Sequence, residues 1–248
     1  MRPALRLGRL VVVSPHLDDA VLSAFGLLSA ATSATVVTVF AGVPAPGTPP
    51  ADYDRLTRAD APAVRVADRR AEDRAALARL GARAVHLDFL DGPYRDADPS
   101  VRVLADAIVA VVPPHDTLVL PAAIGSHADH VLAREAALLV PCGGRRLAMA
   151  DLPYAAWFGW PPLVTGHADD DGLDPAAPWQ PALRRLAEAS RGTPMPVVVR
   201  LSREERRAKL ECLRLYASQF AALEAGPSRE ISHPSRIRAE VFWRLDGG

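Results

Sequence analysis

Short runs of apolar, largely β-branched residues recur along this 248-residue chain, and after most of them apolar residues fall at helical spacing. A run without alternation reads as a strand buried on both faces, and a parallel sheet covered by helices buries strands in that way. The runs are "RLVVVS" (Arg9–Ser14), "TVVTVF" (Thr35–Phe40), "ARAVHLDF" (Ala82–Phe89), "DTLVLPA" (Asp116–Ala122) and, after a gap, "PVVVRL" (Pro196–Leu201). One helix is predicted from Asp19, where Val21, Leu22, Phe25, Leu28 and Ala31 share a face. A second covers Val66–Gly81, with acids and arginines at i, i+4 and a glycine at its end. Others are predicted over Pro99–Val112, over Ala128–Val140, and from Arg203 to about Ala217. This alternation predicts an α/β fold, a three-layer sandwich with a mostly parallel central sheet.

The whole chain, 1–248, reads as a single domain. No regular element is expected through the Pro-rich "AGVPAPGTPPADYD" (Ala41–Asp54). Over about 152–196 the pattern lapses into prolines, glycines and three of the four tryptophans (Trp157, Trp160, Trp179), and a loop or lid insertion is expected there. The formal net charge is zero, which argues against nucleic acid or an anionic membrane surface as a partner. Cys142 and Cys212 are too few for a disulfide framework or a Cys-type zinc site. The opening "MRPALRLGRLVVV" has an apolar run too short for a signal sequence, and no stretch approaches the ~18 apolar residues of a membrane span, so a cytoplasmic protein is expected.

Two polar clusters interrupt this apolar framework. "SPHLDD" follows the first strand with His16, Asp18 and Asp19, and "LPAAIGSHADHVLA" follows the fourth with His127, Asp129 and His130. Ligands of parallel α/β sheets bind at the carboxyl ends of the strands, so both clusters sit where a site would form. Each cluster alone is also what a helix N-terminus looks like, with aspartates capping and a histidine nearby. Together they place three histidines and three carboxylates at one sheet edge. Adjacent carboxylates are costly to bury, and a divalent cation would offset both desolvation and repulsion. His16, Asp19 and His130 make a two-His, one-Asp set that suits Zn²⁺, and the same trio also suits Fe²⁺. Beside it, Asp18 is placed to act as general base, and His127 to stabilise an oxyanion or protonate a leaving amine. Asp129 is expected to orient His127 through its other ring nitrogen.

"PHLDD" with "HADH" resembles the PIG-L / LmbE-like family of zinc-dependent N-deacetylases, which act on N-acetylglucosamine-containing substrates. The likeness extends to "RRAEDRAALARLG", similar to an Arg-x-x-Glu helix (Arg69, Glu72), and to "LDFLDGPYR", similar to an Asp-Gly loop (Asp91, Gly92). It also covers "KLECLRLYASQF", which resembles a Lys…Tyr-x-Ser-Gln segment. The resemblance implies a Rossmann-like form of the sandwich, zinc on His16, Asp19 and His130, Asp18 as base, and His127 beside the tetrahedral intermediate. It further implies substrate contacts from Arg69 and Asp91, although an exposed salt bridge would equally explain Arg69. Many family members read His-Pro-Asp-Asp-Glu, whereas here Leu17 and Ala20 replace the Pro and the Glu; no proposed ligand is lost.

The expected activity is therefore hydrolysis of an N-acetyl or other N-acyl group on an amino sugar or sugar-containing natural product, by metal-activated water. A thiol-sugar conjugate or a long-chain N-acyl glycoside is an alternative substrate. A sugar- or nucleotide-binding module without hydrolysis is the non-enzymatic alternative. It would need a Gly-rich turn after the first strand, where this chain has two carboxylates and no glycine.

Overall fold

The computed structural model describes residues 7–161, 164, 176–190, 192–224 and 230–245. β1 (Arg9–Ser14) is buried along all but its first residue, and its three valines lie between helical layers on both faces. Each contributes about 1.5–3 kcal/mol on burial. Beyond the loop carrying His16 comes α1 (Asp19–Ala30), followed by β2 (Ser33–Thr38), α2 (Asp52–Leu56), α3 (Pro62–Arg79) and β3 (Ala82–His86). A 3₁₀ turn (Gly92–Tyr94) and α4 (Val101–Val111) lead to β4 (Thr117–Pro121), α5 (Ala128–Leu138) and β5 (Arg145–Met149). The remaining elements are α6 (Tyr154–Trp157), α7 (Ala176–Ala189), β6 (Met195–Arg200), α8 (Arg203–Leu213), α9 (Ala217–Leu223), α10 (Pro234–Ile237) and β7 (Ala239–Arg244).

The strands form one seven-stranded sheet in the order β3-β2-β1-β4-β5-β7-β6. β3, β2, β1, β4 and β5 run parallel, and β7 pairs antiparallel with both β5 and β6. The chain thus winds outward from β1 through β2 to β3, then crosses back to β4 and winds the other way. Right-handed crossovers in opposite directions put α1 and α3 on one face and α4 and α5 on the other. The packing agrees: α4 lies on α5, while α1 and α3 both contact α8. The reversal between β1 and β4 opens a crevice at their carboxyl ends, and the site lies there.

Several expectations shift. β2 is two residues earlier than read, because Val39 and Phe40 donate instead to Ser14 O and Pro15 O, beyond the strand ladder. The Pro-rich segment ends in a turn of helix, α2, whose Asp54 carboxylate accepts the Ala51 N–H. The helix expected from Arg203 to Ala217 breaks after Leu213 and restarts as α9. β5 and β7 were not anticipated. Within 152–196 the described residues hold α6 and α7; residues 162–163, 165–175 and 191 lie outside the described set. Trp160 and Trp179 are core residues packed in series with Trp243, with centroid separations of 6.2 and 5.8 Å.

The single lysine is buried completely: Lys209 Nζ donates to Glu240 Oε1 at 2.7 Å, and Glu240 Oε2 accepts the Gly26 N–H. That amide is near the kink in α1 at Ala24, so the ion pair braces the helix that presents Asp19. Losing one partner of such a pair typically costs about 3–5 kcal/mol.

Candidate metal and catalytic site

The loop after β1 is held by its own polar groups. Ser14 Oγ donates to His16 O and accepts from the Ala20 N–H, while the His16 N–H donates to Asp19 Oδ2 at 2.9 Å. Asp19 is the first residue of α1, where the helix dipole favours a carboxylate. After β4 the chain makes a strained turn: Ala123, Gly125 and Ser126 all have positive φ (60°, 84° and 58°). For the two non-glycines this conformation costs about 1–2 kcal/mol each. A Cβ on Gly125 would stand 2.6 Å from the Phe158 ring, so the turn closes tightly against α6. It delivers His127 to the N-cap of α5 and His130 to the first turn.

Both imidazoles converge on one oxygen of Asp19. Asp19 Oδ2 lies 3.5 Å from His16 Nδ1 and 3.3 Å from His130 Nε2. His130 Nε2 is fully buried, and no hydrogen bond reaches it. The far nitrogens are held by carboxylates: His16 Nε2 and Asp129 Oδ2 are 2.9 Å apart, and His130 Nδ1 and Asp151 Oδ1 are 2.7 Å apart. Asp151 in turn accepts the Ile124 N–H. In the neutral tautomer with the outer nitrogens protonated toward carboxylates, the inner nitrogens would present lone pairs to the space beside Asp19. A buried, partnerless imidazole nitrogen facing a carboxylate oxygen fits a divalent cation, whose ligating histidines usually carry carboxylates behind them. The donor atoms of His16, Asp19 and His130 all lie within 4.8 Å of one another. The same holds for His16, His127 and Asp129, but there the carboxylate already accepts from His16.

The two adjacent aspartates are shifted in opposite directions. Burial and the charge of Asp19 push the Asp18 carboxyl up to about 7. Burial acts on Asp19 too, but His130 and His16 outweigh it and hold that carboxyl below its ordinary value. For His127, burial lowers the pKa below the ordinary imidazole value, so the ring is neutral near pH 7.

Above this floor is a cavity of about 210 Å³. His16, Asp18, Asp19, Arg69, Asp91 and His127 line it, and Asp129 and His130 lie directly beneath with no exposed surface. All eight residues singled out in the sequence are thus brought together. Arg69 is not on an exposed helix face: it is buried, its Nε has no partner, and its nearest carboxylate is Asp91 at 4.0 Å.

One expected contact is missing. Asp129 does not reach His127, whose buried Nδ1 has no partner; its carboxylate instead takes His16 Nε2, the Gly92 N–H and Arg95. Residues two apart at the start of a helix point in different directions, whereas His127 and His130, three apart, meet at 5.2 Å. His233 caps α10 and does not line the cavity.

Sequence reasoning missed Asp151, Arg95 and the tyrosine lining of Tyr53, Tyr94 and Tyr154, while Trp157, from the Trp-rich stretch, does line the cavity. Asp151 had a signal, an acid two residues past a short apolar run, "LAM", like the acids after β1. The two Glu/Tyr motifs also meet: Glu72 accepts Ser218 N–H and Oγ–H at the start of α9, and Tyr216 donates to Asp73.

A mostly parallel α/β sheet with two carboxylate-backed histidines and an aspartate at its switch point defines a Rossmann-like domain suited to a divalent cation. The chain belongs to the PIG-L family: the family model described as GlcNAc-PI de-N-acetylase matches residues 11–140. A 2'-N-acetylparomamine deacetylase of Streptomyces fradiae is 35% identical over 180 residues, 62% of this chain and 61% of that protein. The chain thus spans about three fifths of that relative. Teicoplanin deacetylase Orf2, solved in a zinc-inhibited form, superposes with a TM-score of 0.70 at 26% identity, covering 95% of this chain and 97% of that one. The A40926 pseudoaglycone deacetylase Dbv21 superposes with a TM-score of 0.69 at 28% identity, covering 95% and 96%. Among the described residues no helix is long and apolar enough to cross a membrane.

Proposed function

We propose that this protein is a metal-dependent N-deacetylase acting on an amino sugar within a natural product. The observation that carries the reading is the pair of carboxylate-backed imidazoles whose inner nitrogens face Asp19. The relatives named as deacetylases of 2'-N-acetylparomamine, teicoplanin and the A40926 pseudoaglycone support both the reaction and the substrate class. His16, Asp19 and His130 would hold the cation, with Zn²⁺ favoured by this donor set. A divalent cation there supplies Lewis acidity toward the amide oxygen and acidifies a water.

The protein's own groups do the rest. Asp18 lies in the cavity next to the ligand set, where it removes a proton from the water attacking the acyl carbon and returns it to the departing nitrogen. His127, neutral and lining the same cavity, donates an N–H to the oxygen of the tetrahedral adduct. Collapse breaks the C–N bond and releases a carboxylate and a free amine. Arg69 and Asp91 offer a donor and an acceptor to sugar hydroxyls. Two carboxylates at the end of β1 repel phosphate and disfavour a nucleotide-binding role.

The test is elemental analysis of protein purified without chelator, together with amine release from a panel of N-acetylated aminoglycosides and glycopeptide sugars. One metal per chain with amine release is expected. Protein that takes up no metal even on reconstitution overturns the reading.

A further inference from the structure

His16 is the most exposed of the three proposed ligands, and a loop outside the metal motifs sets its orientation. Behind it, Asp129 is gripped from the β3–α4 connection by the Gly92 N–H at 3.1 Å and by Arg95 Nη2 at 2.5 Å. Arg95 has little freedom to move. Its Nη1 donates to Leu90 O, its Nε and Nη2 donate to Asp98, and its guanidinium lies 4.9 Å from the centre of the Phe40 ring. Phe40 also packs against His16, at 6.1 Å. One arginine therefore reaches from the surface acid Asp98 to the carboxylate behind a ligand histidine.

The arrangement resolves a competition. His16 Nε2 has two carboxylates within reach, Asp129 at 2.9 Å and Asp91 at 3.4 Å. Holding Asp129 in place gives it the Nε2–H, leaves the lone pair on Nδ1 facing Asp19, and frees Asp91 for the cavity. If Asp129 turned away, the ring would be free to take the other tautomer or bond to Asp91, and the ligand set would lose its geometry.

We propose that Arg95 is a positioning residue for the metal site: it fixes the Asp129 carboxylate, and Asp129 fixes the His16 ring with Nδ1 toward Asp19 and His130. The proposal rests on the metal-site reading above. It is tested by Zn²⁺ titration of chelator-stripped protein against a competing chromophoric chelator, with the melting temperature of each metal-free form measured in parallel. Arg95→Met is expected to weaken Zn²⁺ binding about 10–100-fold, the usual effect of losing a group that orients a ligand. Arg95→Lys, which keeps the charge but cannot span Asp129, Asp98 and Leu90 O together, should recover part of that loss. Asp98→Ala removes only the outer anchor at an exposed position, so it serves if Arg95→Met folds poorly; a several-fold weakening is expected. Wild-type affinity in Arg95→Met, or in Asp98→Ala where Arg95→Met does not fold, with or without a lower melting temperature, would assign Arg95 to the fold alone and overturn the proposal. Absence of Zn²⁺ binding by the wild type would overturn the metal-site reading and the proposal with it.

Discussion

The two flanks of the cleft differ in chemistry, although the same sheet edge positions both. On the β2/β3 side, α2, α3 and the 3₁₀ turn contribute Tyr53, Arg69, Asp91 and Tyr94, each with a hydrogen-bonding group. Tyr94 donates to the buried Asp54, which ties α2 to the turn. On the β5 side the lining is Pro153, Tyr154 and Trp157; Tyr154 packs edge-on to Trp157 at 5.7 Å and to His130 at 5.3 Å. Sheet order puts β3 and β5 on opposite sides of the β1/β4 pair, so the polar and aromatic surfaces flank the metal-binding floor from opposite directions. The cleft thus offers hydrogen-bonding groups on one side and an aromatic face on the other.

The largest expected effects fall on the floor that both flanks share. His130→Ala should abolish stoichiometric metal and reduce amine release to background, as read by elemental analysis and an amine assay. Asp18→Asn should keep the metal and lose at least ~10²-fold in kcat. If Asp18→Asn stayed within about tenfold of wild type, the base would have to be sought elsewhere. On the polar flank, Arg69→Ala and Asp91→Asn each remove hydrogen bonds involving a charged group, worth about 1.5–3 kcal/mol. A rise in KM of about 10–100-fold is expected for sugar substrates. An unchanged KM would detach that flank from sugar recognition. On the aromatic flank, Trp157→Ala should cost up to about tenfold in kcat/KM for substrates with an apolar aglycone or acyl chain, and little for a simple N-acetylhexosamine. Equal losses on both substrates would erase the distinction between the flanks.

What the sequence disclosed follows from how each element is buried. β1 and β4 are covered on both faces, so they appear as unbroken apolar runs, and the polar residues at their ends stand out. β5 begins with two half-buried arginines, and β7 carries Glu240 inward to Lys209, so neither reads as a strand. Asp151 was lost with β5. The partner of Asp129 was misread because proximity in sequence suggested His127, while helical geometry turns that carboxylate toward a histidine on another loop. Aromatic lining cannot be separated from core in a sequence: Trp157 reaches the cleft while Trp160, three residues on, packs into the interior.

The smallest expected effect lies at the other end of the strands that carry the site. At the amino ends of β1 and β4, the exposed Asp116 accepts from the Arg9 N–H, Nε and Nη2. The Arg9 side chain and its amide hold the Asp116 carboxyl down at about 2. A carboxyl whose folded pKa lies below its unfolded value of about 3.9 stabilises the fold above that value and loses the contribution as pH falls toward 2. Asp116→Asn should therefore melt slightly below wild type at neutral pH, and the two melting temperatures should converge between about pH 4 and pH 2. Amine release at neutral pH should not change. If the substitution altered turnover while leaving the melting temperature alone, the division of labour along β1 and β4, with chemistry at the carboxyl ends and anchoring at the amino ends, would fail.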